Sequence, residues 1–275
     1  MTTALRPLST GELLDRTFSL YRSHFALFVG IFALPYLAVV AYQCVGLVFQ
    51  SPTPQLSNIL ITLVWSLGSL FLTLTVSATS QAATVIAVSN VHLDRPATVT
   101  DSFARVKSDI LGVMGVSFLV TFVSMIAAFA FLVPGIILFL MWSLAVPAKV
   151  LEGRGVLDSM SRSMELTKGS RGRIFVIALL ILVLTVAVSW LLQWPILIAA
   201  GFTFRGGVQK ISVGWQVASL VASLVARSLV GALATIALSL VYYDQRVRKE
   251  AFDLQLMMTT LDTSQGPPSP APVGA

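Results

Sequence analysis

The chain has 275 residues, of which 56% are hydrophobic and only 11% charged, and its mean hydropathy is +0.87. A soluble globular domain carries about 25% charged residues, so the composition excludes one and indicates an integral membrane protein. A span takes about 20 apolar residues, which leaves room for six helices and their connections but not for a soluble catalytic domain as well. The net charge of +6 is read against the position of each charge relative to the bilayer, and nucleic acid is not among the expected partners.

In chain order, apolar runs predict spans at Phe25 to Val48, Ser57 to Val88, Ile110 to Leu132, Gly135 to Leu151, Ile174 to Ala200 and Val217 to Tyr243. The first run follows an amphipathic stretch and has no A-x-A cleavage pattern, so it reads as a retained span and not a signal peptide. Its Cys44, the single cysteine, excludes a disulfide framework. The loops are Phe49 to Leu56 with Pro52 and Pro54, almost nothing at Val133-Pro134-Gly135, and Gly201 to Gly214. These three loops share one side. Every Asp and Glu lies on the other side, with 15 of the 18 Lys and Arg, while Arg205 and Lys210 sit in an outer loop. The positive-inside rule then makes both termini cytoplasmic, in a multi-pass protein of the plasma (inner) membrane.

Each cytoplasmic segment opens with a helix cap and continues with apolar residues at helical spacing. Ser9 caps with Glu12, Leu8 staples to Leu13, and Leu14, Phe18, Tyr21 and Phe25 form a stripe. Thr98 and Asp101 precede Val99, Phe103, Val106 and Ile110; Gly155 and Asp158 precede Val156, Met160, Met164 and Thr167. Each segment ends with a large apolar residue four before a base: Phe18 and Arg22, Phe103 and Lys107, Met164 and Lys168. The pattern reads as a threefold repeat of an interfacial amphipathic helix plus a transmembrane hairpin. The same caps and snorkelling bases also arise wherever helices enter a bilayer. The fold class is thus all-α and integral to the membrane, with residues 1–250 as one six-span domain. Residues 251–275 form a cytoplasmic tail, rich in Pro, Gly and Ser from Thr259 onward, read as disordered; its Pro267-x-x-Pro270 is taken as part of a solvated tail.

The residues become specific around the fourth span, in Pro134-Gly135-Ile136-Ile137-Leu138, Trp142, Pro147, Leu151-Glu152-Gly153 and Ser161-Arg162-Ser163-Met164-Glu165-Leu166-Thr167-Lys168-Gly169. This resembles the polytopic membrane domain of some glycerophosphoryl diester phosphodiesterases and of stand-alone bacterial membrane proteins. Leu8-Ser9 to Phe25 and Ala87-Val88-Ser89 to Phe103 share the resemblance. It implies a membrane domain without the hydrolase, since the phosphodiesterase members carry an additional soluble domain that this chain has no room for.

Little in the chain promises chemistry. His24 and His92 stand at span ends with no His or Cys at i+3 or i+4, so no metal and no cofactor is expected. No Asp or Glu lies inside a span to relay protons, no base lies at membrane depth to activate a serine, and no catalytic residue is assigned. Two polar stripes do stand out. In the second span Ser66, Ser69, Thr73, Ser77, Ser80 and Thr84 share a face with Gln81 beside it; in the sixth Ser219, Ser223, Arg227, Gly231, Thr235 and Ser239 step by four. Either stripe serves close helix packing or lines a polar passage. Arg227 lies 15 residues before Tyr242, roughly 22 Å above the cytoplasmic boundary at 1.5 Å per residue. It either snorkels or pairs, or else binds an anion with Gln81, Ser77 and Ser223 as neutral partners.

The sequence therefore points to a non-enzymatic scaffold or accessory subunit that engages the bilayer's inner leaflet, its anionic headgroups, or a membrane-protein partner, with Arg22, Lys107 and Lys168 as basic anchors. The alternative is a transporter or lipid-handling protein with a polar cavity between helices. The topology is checked in a Cys44→Ser background: cysteines at Ser51 or Gly206 are expected to react with an impermeant reagent on intact cells, and one at Ser170 is not.

Overall fold

The computed structural model describes residues 8–48, 56–202 and 212–250. The expectations for Arg6, Pro52, Pro54, Arg205, Lys210 and the 251–275 tail fall outside the described residues. Among those described, every regular element is a helix: α1 (Thr10–Ser23), α2 (Phe25–Val48), α3 (Leu56–His92), α4 (Val99–Lys107), α5 (Ile110–Ala130), α6 (Leu132–Trp142), α7 (Ala145–Glu152), α8 (Val156–Thr167), α9 (Arg171–Phe202) and α10 (Val213–Glu250). Six segments are long and apolar enough to cross a membrane: α2, α3, α5, α6 with α7, α9 and α10. Their apolar side chains stay outside the core in large numbers, with Phe129 94% exposed. Water would oppose such a surface, whereas lipid tails are as apolar as the side chains themselves.

The long helix α10 is the centre of the bundle. It packs against α2, α9, α3, α1, α8 and α7, and Ile236, Ala237, Leu240, Val241 and Tyr242 are buried along it. It continues nearly two turns beyond the predicted end at Tyr243, to Glu250, because the charges that follow find partners. Asp244 has no exposed side-chain surface; its carboxylate accepts from the Leu8 amide at 2.7 Å, from Arg173 at 2.5 Å and from Arg248 at 2.8 Å. Glu152, at the end of α7, accepts from Tyr242 at 2.6 Å, Arg154 at 2.5 Å and Arg162 at 3.1 Å. Arg162 also pairs with Glu250, and Lys249 donates to the carbonyls of Glu165 and Lys168. One end of the bundle is thereby charged and cross-linked.

The fourth apolar run, expected as one span from Gly135, is broken into α6 and α7. Pro147 explains the position: it has no N–H for the carbonyl of Ser143 and its ring crowds that turn, so the helix interrupts at Ser143-Leu144. Two of the groups at the break, the Leu144 amide and the Met141 carbonyl, are satisfied by α8. Ser163 accepts from the Leu144 amide at 3.1 Å and donates to the Met141 carbonyl at 2.7 Å, and Thr167 donates to the same carbonyl at 3.3 Å. The expected loop at Val133-Pro134-Gly135 is also displaced: the turn is at Phe131, and Pro134 and Gly135 lie in the first turns of α6, where a missing N–H costs little.

The short helices α1, α4 and α8 form where expected, the first two with the expected side-chain caps, but not with equivalent faces. Ser9 and Glu12 make the full capping box, and Thr98 accepts from the Asp101 amide, while Gly155 starts α8 without a side-chain cap. In α1 the buried side is Leu13 and Thr17 against α10, and Phe18 and Phe25 of the expected stripe are about half exposed at 50% and 47%. In α8 the expected stripe turns inward: Met160 and Thr167 are buried with Ser159, Ser163 and Leu166. Ser163→Ala is expected to cost about 1–3 kcal/mol by stranding the Leu144 amide and weakening the link to Met141, whereas exposed Ser161→Ala is neutral. Thermal unfolding of the purified variants checks this.

Candidate functional site

Away from the charged end, Arg227 is the one charged residue within the six long apolar segments among the described residues. Its side chain is exposed, and it makes no ion pair with a described carboxylate. Its guanidinium carbon stands 5.9 Å from the ring centroid of Tyr36 in α2, a cation–π contact. The Tyr36 ring is 4% exposed, and its hydroxyl shares a 2.5 Å hydrogen bond with Ser77 of α3. A buried phenol so held keeps a fixed ring plane beneath the guanidinium.

Arg227 borders two cavities. The smaller, of about 190 Å³, is lined by Phe32, Tyr36, Ser77, Gln81, Thr185 and Ser189 together with α10 residues around Arg227. The larger, of about 520 Å³, is lined by Gln43, Leu47, Ile61, Trp65, Ser66, Ser69, Thr73, Leu220 and Arg227. It lies where the end of α2 meets the start of α3, toward the uncharged end of the bundle. Gln43 donates to Ser69 at 3.1 Å, which joins the two helices across this wall. Gln81, half-buried, makes no hydrogen bond among the described residues, so its amide is available to the smaller cavity.

The α3 stripe therefore divides by depth. Ser66, Ser69 and Thr73 face the larger cavity and Ser77 the smaller, while Ser80 and Thr84 are fully buried without a hydrogen-bond partner among the described residues. The α10 stripe divides as well. Thr235 and Ser239 donate back to their own helix at 2.9 and 2.7 Å. A Cβ on Gly231 would come within 2.6 Å of the Phe32 ring, so this residue permits the close approach of α10 to α2. Below Arg227 the stripe is thus a packing surface. Ser223 lines neither cavity: it donates to the Ser219 carbonyl at 2.9 Å and accepts from Gln193 of α9 at 3.3 Å.

Of the residues singled out from sequence, the structure brings together Arg227, Gln81 and Ser77 and places Ser223 aside. Arg22, Lys107 and Lys168 are exposed at the charged end, far along the chain's helices from Arg227. Tyr36, Gln43, Thr185 and Ser189 belong to the cavity walls and were not singled out; single polar side chains inside otherwise apolar runs were their signal. No group of His, Cys, Asp and Glu able to hold a metal occurs among the described residues. His24 bonds to Ser23 at 2.8 Å, and His92 contacts Arg16 at 3.4 Å and stacks on Tyr243. Compared with family models, curated proteins and solved structures, the chain matches none.

The Tyr36 and Arg227 side chains are expected to be energetically coupled. In a double-mutant cycle of Tyr36→Leu and Arg227→Leu by thermal unfolding, the coupling is about 1 kcal/mol; additive effects within error would show that the ring does not hold the guanidinium.

Proposed function

We propose that the protein is a six-span, non-enzymatic protein of the plasma membrane that handles or transports an amphiphile with an anionic head. The observation that carries this is Arg227, a guanidinium without a described carboxylate, shared by two cavities with polar walls. A charge held at membrane depth is costly, by about 2.5–3.5 kcal/mol on an insertion scale, and an anionic ligand offsets that cost. The planar fork offers paired donors to a phosphate or carboxylate, with Gln81 and Ser77 within the same wall for its remaining oxygens. Leu47, Ile61, Leu70 and Leu220 in the larger cavity supply an apolar lining for a chain.

A second part of the reading concerns the charged end, taken as cytoplasmic from the charge asymmetry. The outward Phe18 of α1 and Phe25 at the start of α2, with Arg16 and Arg22 nearby, suit a helix lying in the inner leaflet, as does Lys107 beside the open apolar groove of Leu34, Pro35 and Phe103. The pairing of successive long helices is read as three hairpins, each preceded by one short helix. In this reading α8 is the exception among the short helices, since its apolar side packs into the protein. The resemblance to the membrane domain of glycerophosphoryl diester phosphodiesterases accompanies the proposal, and no hydrolysis is inferred from it.

The test is thermal stability of purified wild type, Arg227→Lys and Arg227→Leu with and without added anionic lipid. A lipid-dependent rise in wild type that is lost in both variants is expected, since Lys lacks the bidentate fork and Leu lacks the charge. Equal rises in all three would overturn an Arg227 site and return the protein to a purely scaffolding role.

A further inference from the structure

A separate cavity, of about 400 Å³, opens at the charged end where α3, α4, α5 and α7 converge. Its wall holds two cations, Arg105 and Lys149, one carboxylate, Asp109, and the polar side chains of Ser89, Asn90 and Ser108. None of these residues takes part in the Arg227 cavities.

The wall is built, not merely charged. Lys149 is 7% exposed, and its ammonium pairs with Asp109 at 2.6 Å and donates to the Arg154 carbonyl at 2.7 Å. Its stem passes over Gly112 of α5, where a Cβ would come within 2.6 Å of its Cε and 2.3 Å of an Asp109 oxygen. A side chain at residue 112 would push the lysine stem or the Asp109 carboxylate aside. Asn90 is 4% exposed, and its carbonyl oxygen faces an Arg105 nitrogen at 3.5 Å. The amide nitrogen of Asn90 has no hydrogen bond among the described residues, and Arg105 pairs with no described carboxylate.

Charge counting then indicates the ligand. Asp109 neutralises the buried lysine, as a buried ammonium requires, and leaves the guanidinium of Arg105 with only the neutral Asn90 oxygen beside it and no described carboxylate. The wall carries one net positive charge, with the Arg105 fork and the Asn90 amide as donors, while the Ser108 hydroxyl already donates to the Arg105 carbonyl at 2.9 Å. We propose that this cavity binds a phosphate group bearing a single negative charge, with Arg105 as its principal partner and Asn90 and Lys149 as supporting donors. The cavity lies where three apolar segments end or begin, at His92, Ile110 and Glu152, which is the level of lipid headgroups in a bilayer. The phosphate can belong to a lipid headgroup or to a soluble ion, and the two are separable by experiment.

The test uses the full chain in a maltoside detergent free of phospholipid, with Cys44→Ser and Ser108→Cys, so that an uncharged maleimide reports on this cavity alone. The probes are dihexanoyl phosphatidylglycerol, inorganic phosphate at a pH where the monoanion dominates, and sodium chloride at matched ionic strength. At ten times the half-effect concentration of a bound probe, labelling is expected to slow about tenfold. Slowing by the lipid alone assigns the site to a headgroup; slowing by both phosphate probes assigns it to the phosphate group from either source. Arg105→Gln is expected to abolish the slowing and Arg105→Lys to retain part of it, while Arg95→Gln, which removes an exposed arginine outside the cavity, leaves it intact. No slowing by either phosphate probe, equal slowing by chloride, or undiminished slowing in Arg105→Gln would overturn the proposal. The reading of Arg227 is untouched by each of these outcomes, because the label is at residue 108.

Discussion

The buried carboxylate of Asp244 is the interaction on which the arrangement of the helices depends. With no exposed surface, it must be fully paired, and its partners come from three places in the chain: Leu8 before α1, Arg173 at the start of α9, and Arg248 one turn further along α10. Removing one side of such a cluster costs about 3–5 kcal/mol, since the remaining charge is left uncompensated in a poorly solvated site. Lipid provides little driving force for apolar helices to associate, so polar cross-links and close packing specify which helix lies against which. Asp244 and the neighbouring Glu152 cluster supply the cross-links, and α10 carries them into contact with most of the bundle.

The same constraint explains why irregular backbone is tolerated within the fourth apolar segment. A break at Ser143-Leu144 would expose an amide and carbonyls to a medium that cannot bond them. Ser163 and Thr167 of α8 satisfy the Leu144 amide and the Met141 carbonyl, and α8 lies against α6 and α7 with its hydroxyl side inward. The break also begins α7 in a position that carries Lys149 over Gly112. A single proline thus links the path of the backbone to the wall of the charged-end cavity.

Packing and ligand access divide the polar residues by depth. Near the charged half, Gly231 permits the close contact between α10 and α2, and the buried Thr235 and Ser239 donate back to their own helix. From Arg227 toward the uncharged end the helices separate, and the hydroxyls of α3 face open volume. One helical stripe therefore contains both a packing surface and a cavity wall, and a single description of the stripe as either one would be incomplete.

The sequence by itself determined the helical class, the six apolar segments to within a few residues, and the caps of α1 and α4, because hydropathy and capping are local properties of the chain. It also marked Arg227, Gln81 and Ser77 as polar exceptions in apolar surroundings. It did not reveal that Tyr36 lies under Arg227, that Ser223 turns to Gln193, or that α8 faces inward, because each depends on which helix is the neighbour. The end of α10 was likewise hidden: Asp244 looks like the residue that leaves the apolar phase until Arg173 and Leu8 are placed beside it. Local periodicity reports how a helix divides its faces, and only the tertiary structure decides what each face meets.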